Sequence, residues 1–163
     1  MNNTHHTLQT RIDTPLGPMT ATRSAKGLSG LWFESQKHYP DLSGVPSGKD
    51  PLFEQLAAGL TRYFDGGELP DLPLDPQGTA FQQDVWKALL DIGAGGVDSY
   101  GALARRIGRP KAVRALGAAV GRNPISLLIP CHRVLGATGE LTGYAGGIER
   151  KKSLLQLEKH EAA

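Results

Sequence analysis

The chain has 163 residues, 39% hydrophobic and 21% charged, with a net charge of +2 and one cysteine. That balance describes a folded globular protein of one large or two small domains and excludes an intrinsically disordered chain. No apolar run approaches the ~20 residues of a membrane helix, the polar start Met1-Asn2-Asn3-Thr4-His5-His6 lacks the apolar core of a signal peptide, and one cysteine makes no internal disulfide, so a cytoplasmic protein with a free thiol is expected.

Leu8, Thr10 and Ile12 alternate with their neighbours, Pro15-Leu16-Gly17-Pro18 makes a turn, Met19 to Thr22 resumes, and Lys26-Gly27 turns again before Leu28 to Phe33. Short strands with short connections predict an antiparallel meander. Residues 34–50 read as a loop. Leu52, Leu56, Leu60 and Phe64 then recur at helical spacing until Gly66-Gly67. Residues 68–78, with three prolines and a glycine, read as a linker. The expected division is therefore an N-terminal α/β scaffold over 1–75 and a mostly helical unit over 76–163.

Thr79 and Gln82 have the spacing of a capping box, and the helix behind them places Phe81, Val85, Leu89 and Ile92 on one face. Gly93 to Gly96 stops it. A helix is predicted over Tyr100 to Ile107, then a turn at Gly108-Arg109-Pro110, with the proline suited to open the next helix. That helix is expected over Lys111 to Val120, with Val113, Leu116, Ala119 and Val120 facing inward. Two short helices around a glycine turn form a helix-turn-helix candidate. A last helix over 148–160 carries Ile148, Leu154, Leu155 and Leu157 as its apolar positions. The fold class expected is α/β of the α+β kind: a small antiparallel sheet with a helix, followed by a winged-helix-like unit.

Charge is divided unevenly. Residues 1–75 carry 6 Lys/Arg and 9 Asp/Glu; residues 76–163 carry 12 and 7. Between Tyr100 and Asn123 lie Arg105, Arg106, Arg109, Lys111, Arg114 and Arg122 and no acid. Most charge runs are solvated helix faces, but six like charges without a counter-charge favour an anionic partner.

The one thiol sits in Ile129-Pro130-Cys131-His132-Arg133-Val134. A lone cysteine is usually a small buried hydrophobe. A histidine beside it supplies a base, and a thiol reacts as its thiolate. Histidine serves as that base when its other nitrogen is held by an acceptor; Glu158 could be the acceptor, with Glu140 and Glu149 as competitors. On a strand, adjacent Cys131 and His132 would point to opposite faces, so cooperation needs a kink or a bridging water. His5, His6, His38, His132 and His160 show no metal-ligand spacing, and His5-His6 reads as a flexible polar end.

The run Gly78-Thr79-Ala80-Phe81-Gln82-Gln83-Asp84-Val85-Trp86-Lys87-Ala88-Leu89 and five motifs in order after it (Ser99-Tyr100-Gly101; Lys111-Ala112-Val113-Arg114-Ala115; Arg122-Asn123-Pro124; Pro130-Cys131-His132-Arg133-Val134; Gly143-Tyr144-Ala145-Gly146-Gly147) resemble the active domain of O6-alkylguanine-DNA alkyltransferases. The resemblance is close over 78–160 and loose before that. It implies single-turnover transfer of an alkyl group from O6 of guanine, and possibly O4 of thymine, in double-stranded DNA to Cys131. No cofactor and no metal are implied, and a monomer is expected. By the same resemblance His132 deprotonates Cys131 through a water, Glu158 orients His132, and Tyr100 protonates the departing guanine. Arg114 fills the stack when the base is flipped out, and Asn123 ties the helix-turn-helix to the active turn. Lys111, Ala112, Ala115, Arg109, Arg122, Tyr100 and Arg133 fall in its DNA-binding set. Ser126, Val134, Tyr144, Ala145 and Gly146 fall in its pocket.

The chain departs from that family at Ile92-Gly93-Ala94-Gly95-Gly96-Val97-Asp98, where many members read Ile-Pro-Tyr-Gly-Glu-Thr, and at Ser126, where some have proline. Zinc-binding residues that some members carry in their N-terminal part are absent. Two other functions fit parts of the sequence. A non-catalytic DNA-binding regulator needs only the helix-turn-helix, and a cysteine hydrolase would use the cysteine and histidine but leave the basic helix without a role.

Overall fold

The computed structural model describes residues 5–162, with side chains described up to Lys159. Met1–Thr4, and with them most of the polar start, lie outside it, as does the side chain of His160. The first of two units runs to Gln77 and also takes in Pro124–Ser126; the second comprises Gly78–Asn123 and the chain from Leu127 onward. A single cut at 75/76 does not provide for Pro124–Ser126.

In the first unit β1 (Leu8–Ile12), β2 (Met19–Arg23) and β3 (Leu28–Phe33) form an antiparallel sheet in that order, with Leu8 opposite Arg23 and Met19 opposite Phe33. Each turn closes on itself: Thr14 Oγ1 donates to the Gly17 carbonyl at 2.6 Å, and the Ser24 amide donates to the Gly27 carbonyl at 2.8 Å. β3 is buried along its whole length because its outer edge is covered. Leu28 bonds to residues 73 and 75, and Leu31 bonds to residues 124 and 126, so the exposed row of amides that makes an edge strand sticky is paired. The linker expected over 68–78 thus has a structural task. Gly27 lets it come close: a Cβ there would lie 2.5 Å from the Pro73 carbonyl oxygen. Helix α1 (Pro51–Phe64) begins one residue before the apolar repeat, because Asp50 caps the Leu52 amide at 2.8 Å and Pro51 sits where no amide partner is needed. It buries Leu52, Phe53, Leu56, Leu60 and Tyr63.

His5 and His6 are anchored here rather than free. His5 Nε2 meets the Asp75 carbonyl at 2.9 Å; His6 Nδ1 meets Ser29 Oγ at 2.7 Å and Thr22 Oγ1 at 3.1 Å, with its ring edge-on to Trp32. Burial, and next to it the neighbouring His5, lower the His6 pKa below its ordinary value of 6.5. Folding therefore favours neutral His6. Its contribution to stability is complete above the unfolded value and is lost as pH falls through and below it. The urea midpoint, followed by tryptophan fluorescence, is expected to fall more between pH 7.5 and 5.5 in the native chain than in His6→Asn. An equal fall in both would remove His6 from the account.

In the second unit the order is α2 (Ala80–Leu90), β4 (Asp98–Ser99), α3 (Tyr100–Arg106), α4 (Val113–Gly121), a 3₁₀ turn at Cys131–Arg133, β5 (Val134–Leu135) and α5 (Ile148–Ala162). Both arms of the Thr79–Gln82 capping box are made. α2 packs on α3 and α4, and Trp86 Nε1 donates to the Ala119 carbonyl at 2.9 Å, fixing α4 from its buried side. Ser99 caps α3 by accepting the Ala102 amide at 3.1 Å. The α4 helix starts at Val113, not Lys111. Gly108, with φ +75, and the Ala112 amide bonded to the Arg109 carbonyl keep residues 108–112 in the turn, so Pro110 does not open the helix. Val113, expected inside, is 40% exposed, since a start two residues later leaves Leu116, Ala119 and Val120 as the inward face. Ile148 is likewise exposed at the first residue of α5. β4 and β5 form a two-residue parallel pair, too short for any periodicity to announce. The described residues therefore show the expected α+β class, with a small antiparallel sheet and helix followed by a mostly helical unit.

Candidate active site

Pro130 makes the local geometry. Its φ of −80° and ψ of 65° are those of the central residue of an inverse γ-turn, in which the Cys131 amide donates back to the Ile129 carbonyl at 2.8 Å. The chain then enters the 3₁₀ turn, where the Arg133 amide donates to the Pro130 carbonyl at 3.0 Å. Cys131 and His132 thus sit on a kink and not on a strand. Leu127, a few residues before, is fully buried with φ 74, a left-handed conformation that costs a non-glycine residue about 1–3 kcal/mol. Asn123 Nδ2 donates to the Ile129 carbonyl at 2.7 Å, tying the end of α4 to this turn.

His132 is 0% and Glu158 1% exposed, and His132 Nε2 lies 2.8 Å from Glu158 Oε2. Of the three candidate acceptors, Glu158 is the one that meets the ring. Glu140 instead binds Thr138 on the surface, and Glu149 is exposed. His132 Nδ1 is buried and has no hydrogen-bond partner among the described residues. Burial is the largest influence on His132 and holds its pKa below 6.5 against the opposing pull of Glu158, so the ring is neutral at pH 7. Since the carboxylate accepts from Nε2, the proton of the neutral ring belongs there and Nδ1 presents a lone pair. Burial also pushes the Cys131 thiol up to about 11; the Asn123 carboxamide, the Lys151 ammonium and the Cys131 amide pull the other way without overcoming it. At rest the thiol keeps its proton.

Arg133, expected on the DNA surface, is 5% exposed and belongs to the interior. Its Nε and Nη2 donate to Glu158 Oε1 and Oε2 at 2.8 and 2.9 Å, and its Nη1 donates to the Ile92 carbonyl at 2.5 Å. The guanidinium fork matches a carboxylate, and the third donor holds the chain just after α2. It is a positioning residue for Glu158, and so for His132.

Lys151 was not singled out by sequence. It is completely buried, and its Nζ donates to the Val134 carbonyl at 2.5 Å and the Thr142 carbonyl at 3.3 Å. Burial lowers its pKa, while a Cys131 thiolate would raise it. With Lys151 and Arg133 charged and Glu158 ionised, the interior carries one excess positive charge until Cys131 ionises. The group therefore favours a thiolate formed during reaction. The signal was available in the spacing: Lys151, Leu154 and Glu158 share one face of α5.

Tyr100 is the first residue of α3, and its hydroxyl accepts from Thr142 Oγ1 at 3.2 Å. Tyr144 is buried in the turn that the Gly147 amide closes on its carbonyl at 2.8 Å. Ala145 is half-buried, Gly146 is buried and accepts from Arg150 at 3.0 Å, and Val134 is buried. Ser126 belongs to the first unit: its amide donates to the Leu31 carbonyl and its hydroxyl bonds Gln36 at 3.3 Å.

Arg105, Arg106, Arg109, Lys111, Arg114 and Arg122 are all exposed. Two are engaged, Arg106 with Asp98 at 3.1 Å and Arg109 over the Phe81 ring at 5.7 Å, so a counter-charge just outside the run tempers it. Among the described residues Arg105, Lys111, Arg114 and Arg122 meet no carboxylate. Ala112 and Ala115 flank Arg114 at the start of α4, half-buried and exposed. No helix is long and apolar enough to cross a membrane, and no three His, Cys, Asp or Glu residues cluster as metal ligands among the described residues.

The family model for the DNA-binding domain of 6-O-methylguanine DNA methyltransferase matches residues 80–160. A methylated-DNA–protein-cysteine methyltransferase of Mycobacterium tuberculosis is 49% identical over 154 residues, covering 93% of this chain and 92% of that protein. Its counterpart in Haemophilus influenzae is 43% identical over 152 residues, 92% and 85% of the two chains. The crystal structure of M. tuberculosis OGT in complex with DNA superposes with a TM-score of 0.86 at 44% identity, covering 94% of each chain.

Proposed function

This chain belongs to the methylated-DNA–protein-cysteine methyltransferase family, and on that footing we propose the chemistry by which its own residues repair DNA. The reaction is direct reversal: the alkyl group on O6 of guanine passes to a cysteine, and Cys131 is the only one in the chain. The observation that carries the assignment is the 2.8 Å His132–Glu158 contact in a buried environment beside that thiol.

The thiol proton leaves through a bridging water to the lone pair on His132 Nδ1. The imidazolium so formed is stabilised by Glu158, which Arg133 holds in place. The thiolate, favoured by Lys151 and Asn123, attacks the methyl carbon in line. A sulfur–carbon bond forms as the carbon–oxygen bond breaks, and the electron pair passes to the purine. Tyr100 supplies the purine's proton and regains one from solvent, while the proton held by His132 is released to solvent, so the thiol proton is in sum exchanged for the methyl group. A thioether is not cleaved by water, so each molecule acts once. This reading leaves no place for an acyl-enzyme.

O6 lies at a base edge inside the duplex, where in-line approach is blocked, so the guanine must leave the stack at a cost of about a few kcal/mol. The exposed cations and the small residues of α4 support entry into a minor groove, with little sequence preference. Residues 76–163 carry DNA binding and transfer, and residues 1–75 serve as the scaffold. Arg114 occupies the space that the base vacates. Arg114→Ala is expected to slow transfer from duplex DNA roughly 10- to 100-fold, the scale of a few kcal/mol of extrusion, and to spare reaction with free O6-benzylguanine. Equal losses on both substrates would contradict a stack-filling role.

A further inference from the structure

A cavity with a volume of ≈ 280 Å³ lies in the same unit, against α5. Its floor is apolar, built from Val97, Leu135, Leu141 and Leu155, and its rim carries Lys152 and Lys159. Val97 and Leu141 are 51% and 39% exposed, placing them among the few large hydrophobic side chains of this chain left in water. The two lysines are seven residues apart on α5, so they lie on one face with Leu155 between them. Neither pairs with a carboxylate among the described residues. The carboxylate that reaches this wall, Glu158, has both oxygens engaged by Arg133 and His132, so among the described lining residues the unpaired charges are the two lysines. The opposite wall is Gly95-Gly96, at the point where the sequence departs from the alkyltransferase pattern; without side chains these two residues leave the cavity open.

We propose that this cavity is a binding site for a small amphiphilic carboxylate: one ring or a short alkyl chain on the leucine and valine floor, with its acid between Lys152 and Lys159. The volume lies at the lower end of ligand pockets, which suits a small molecule. Apolar burial supplies the attraction, and the unpartnered cations supply the selectivity for an acid. The inference stands on the cavity alone and does not depend on the alkyl-transfer reading.

The test is a titration of the isotope-labelled full chain with 4-phenylbutyrate, 4-phenylbutan-1-ol and 4-phenylbutylamine, followed by amide chemical shifts. Saturable shifts are expected at Gly95, Gly96, Gly139 and Leu155, with the acid bound at least about tenfold more tightly than the amine, the scale of one well-placed charge pair. Lys152→Glu combined with Lys159→Glu is expected to abolish that preference, and Val97→Asp, at a half-exposed position, to abolish binding. The same spectra report whether each variant is folded. Shifts that do not saturate, shifts centred elsewhere, equal binding of acid and amine, or an unchanged preference in the double-lysine variant would each overturn the proposal.

Discussion

Cys131→Ala is expected to abolish alkyl transfer from an O6-methylguanine duplex and to leave binding of that duplex in place. The chain has no other thiol, and the other buried nucleophile near it, Lys151, has its Nζ bonded to the Val134 and Thr142 carbonyls. On the proposed reading, binding rests on a different set of atoms, with the exposed cations Arg105, Lys111, Arg114 and Arg122 among them, which the substitution does not touch. Contacts to phosphates position a protein on DNA, so their survival preserves affinity. The structural cost is small, since one buried sulfur is removed and no charge is stranded; about 1 kcal/mol is the scale of such a change. Retained transfer in the variant would mean that the nucleophile has been assigned to the wrong residue. Loss of transfer together with loss of binding would mean that the thiol holds the DNA-binding surface together.

The second large effect falls on Glu158, which makes three bonds at once. It receives Nε and Nη2 of Arg133 and the Nε2 proton of His132, all in the interior. Glu158→Ala strands the buried Arg133 charge and releases the ring. Breaking a buried pair in this way costs about 3–5 kcal/mol, which for a domain of this size lowers the unfolding temperature by roughly 6–20 °C. Glu158→Gln disturbs the fold less, though it too leaves the Arg133 charge without its counter-charge. The amide keeps the shape and one acceptor, but it loses the charge that stabilises the imidazolium. The transfer rate at pH 7 is then expected to fall roughly 100-fold or more, the usual worth of a positioned base. Its pH profile should also move, because the carboxylate is what opposes the effect of burial on His132. A glutamine variant with native rate would remove Glu158 from the proton path and leave it a purely structural partner of Arg133.

Much of this could be seen in the sequence where the signal was local. The three strands, the capping box at Thr79 and the stripe of α1 depend on neighbours within a few residues, and the structure places them where the pattern did, except that Tyr63 and not Phe64 ends the buried stripe. The misplacements arise where distant parts of the chain decide. Arg133 looked like a surface cation beside a basic segment, and only the approach of α5 makes it an interior partner of Glu158. Lys151 sat in the run Arg150-Lys151-Lys152, which reads as a solvated patch, yet one of the three turns inward to bind two carbonyls. Pro124–Ser126 pairs with β3 across more than ninety residues, a contact with no periodic trace. The late start of α4, by contrast, had a local cause in Gly108 that the sequence displayed and that the proline rule overrode.

The central claim is that this thiol accepts one alkyl group per molecule. Intact-protein mass spectrometry after mixing the chain with an equal amount of duplex carrying one O6-methylguanine tests it most directly. The account predicts a gain of one methylene, located on the peptide that contains Cys131 and saturating at one per chain. An unchanged mass despite tight, lesion-selective binding would contradict it, and would make the chain a recognition protein whose buried thiol is never ionised.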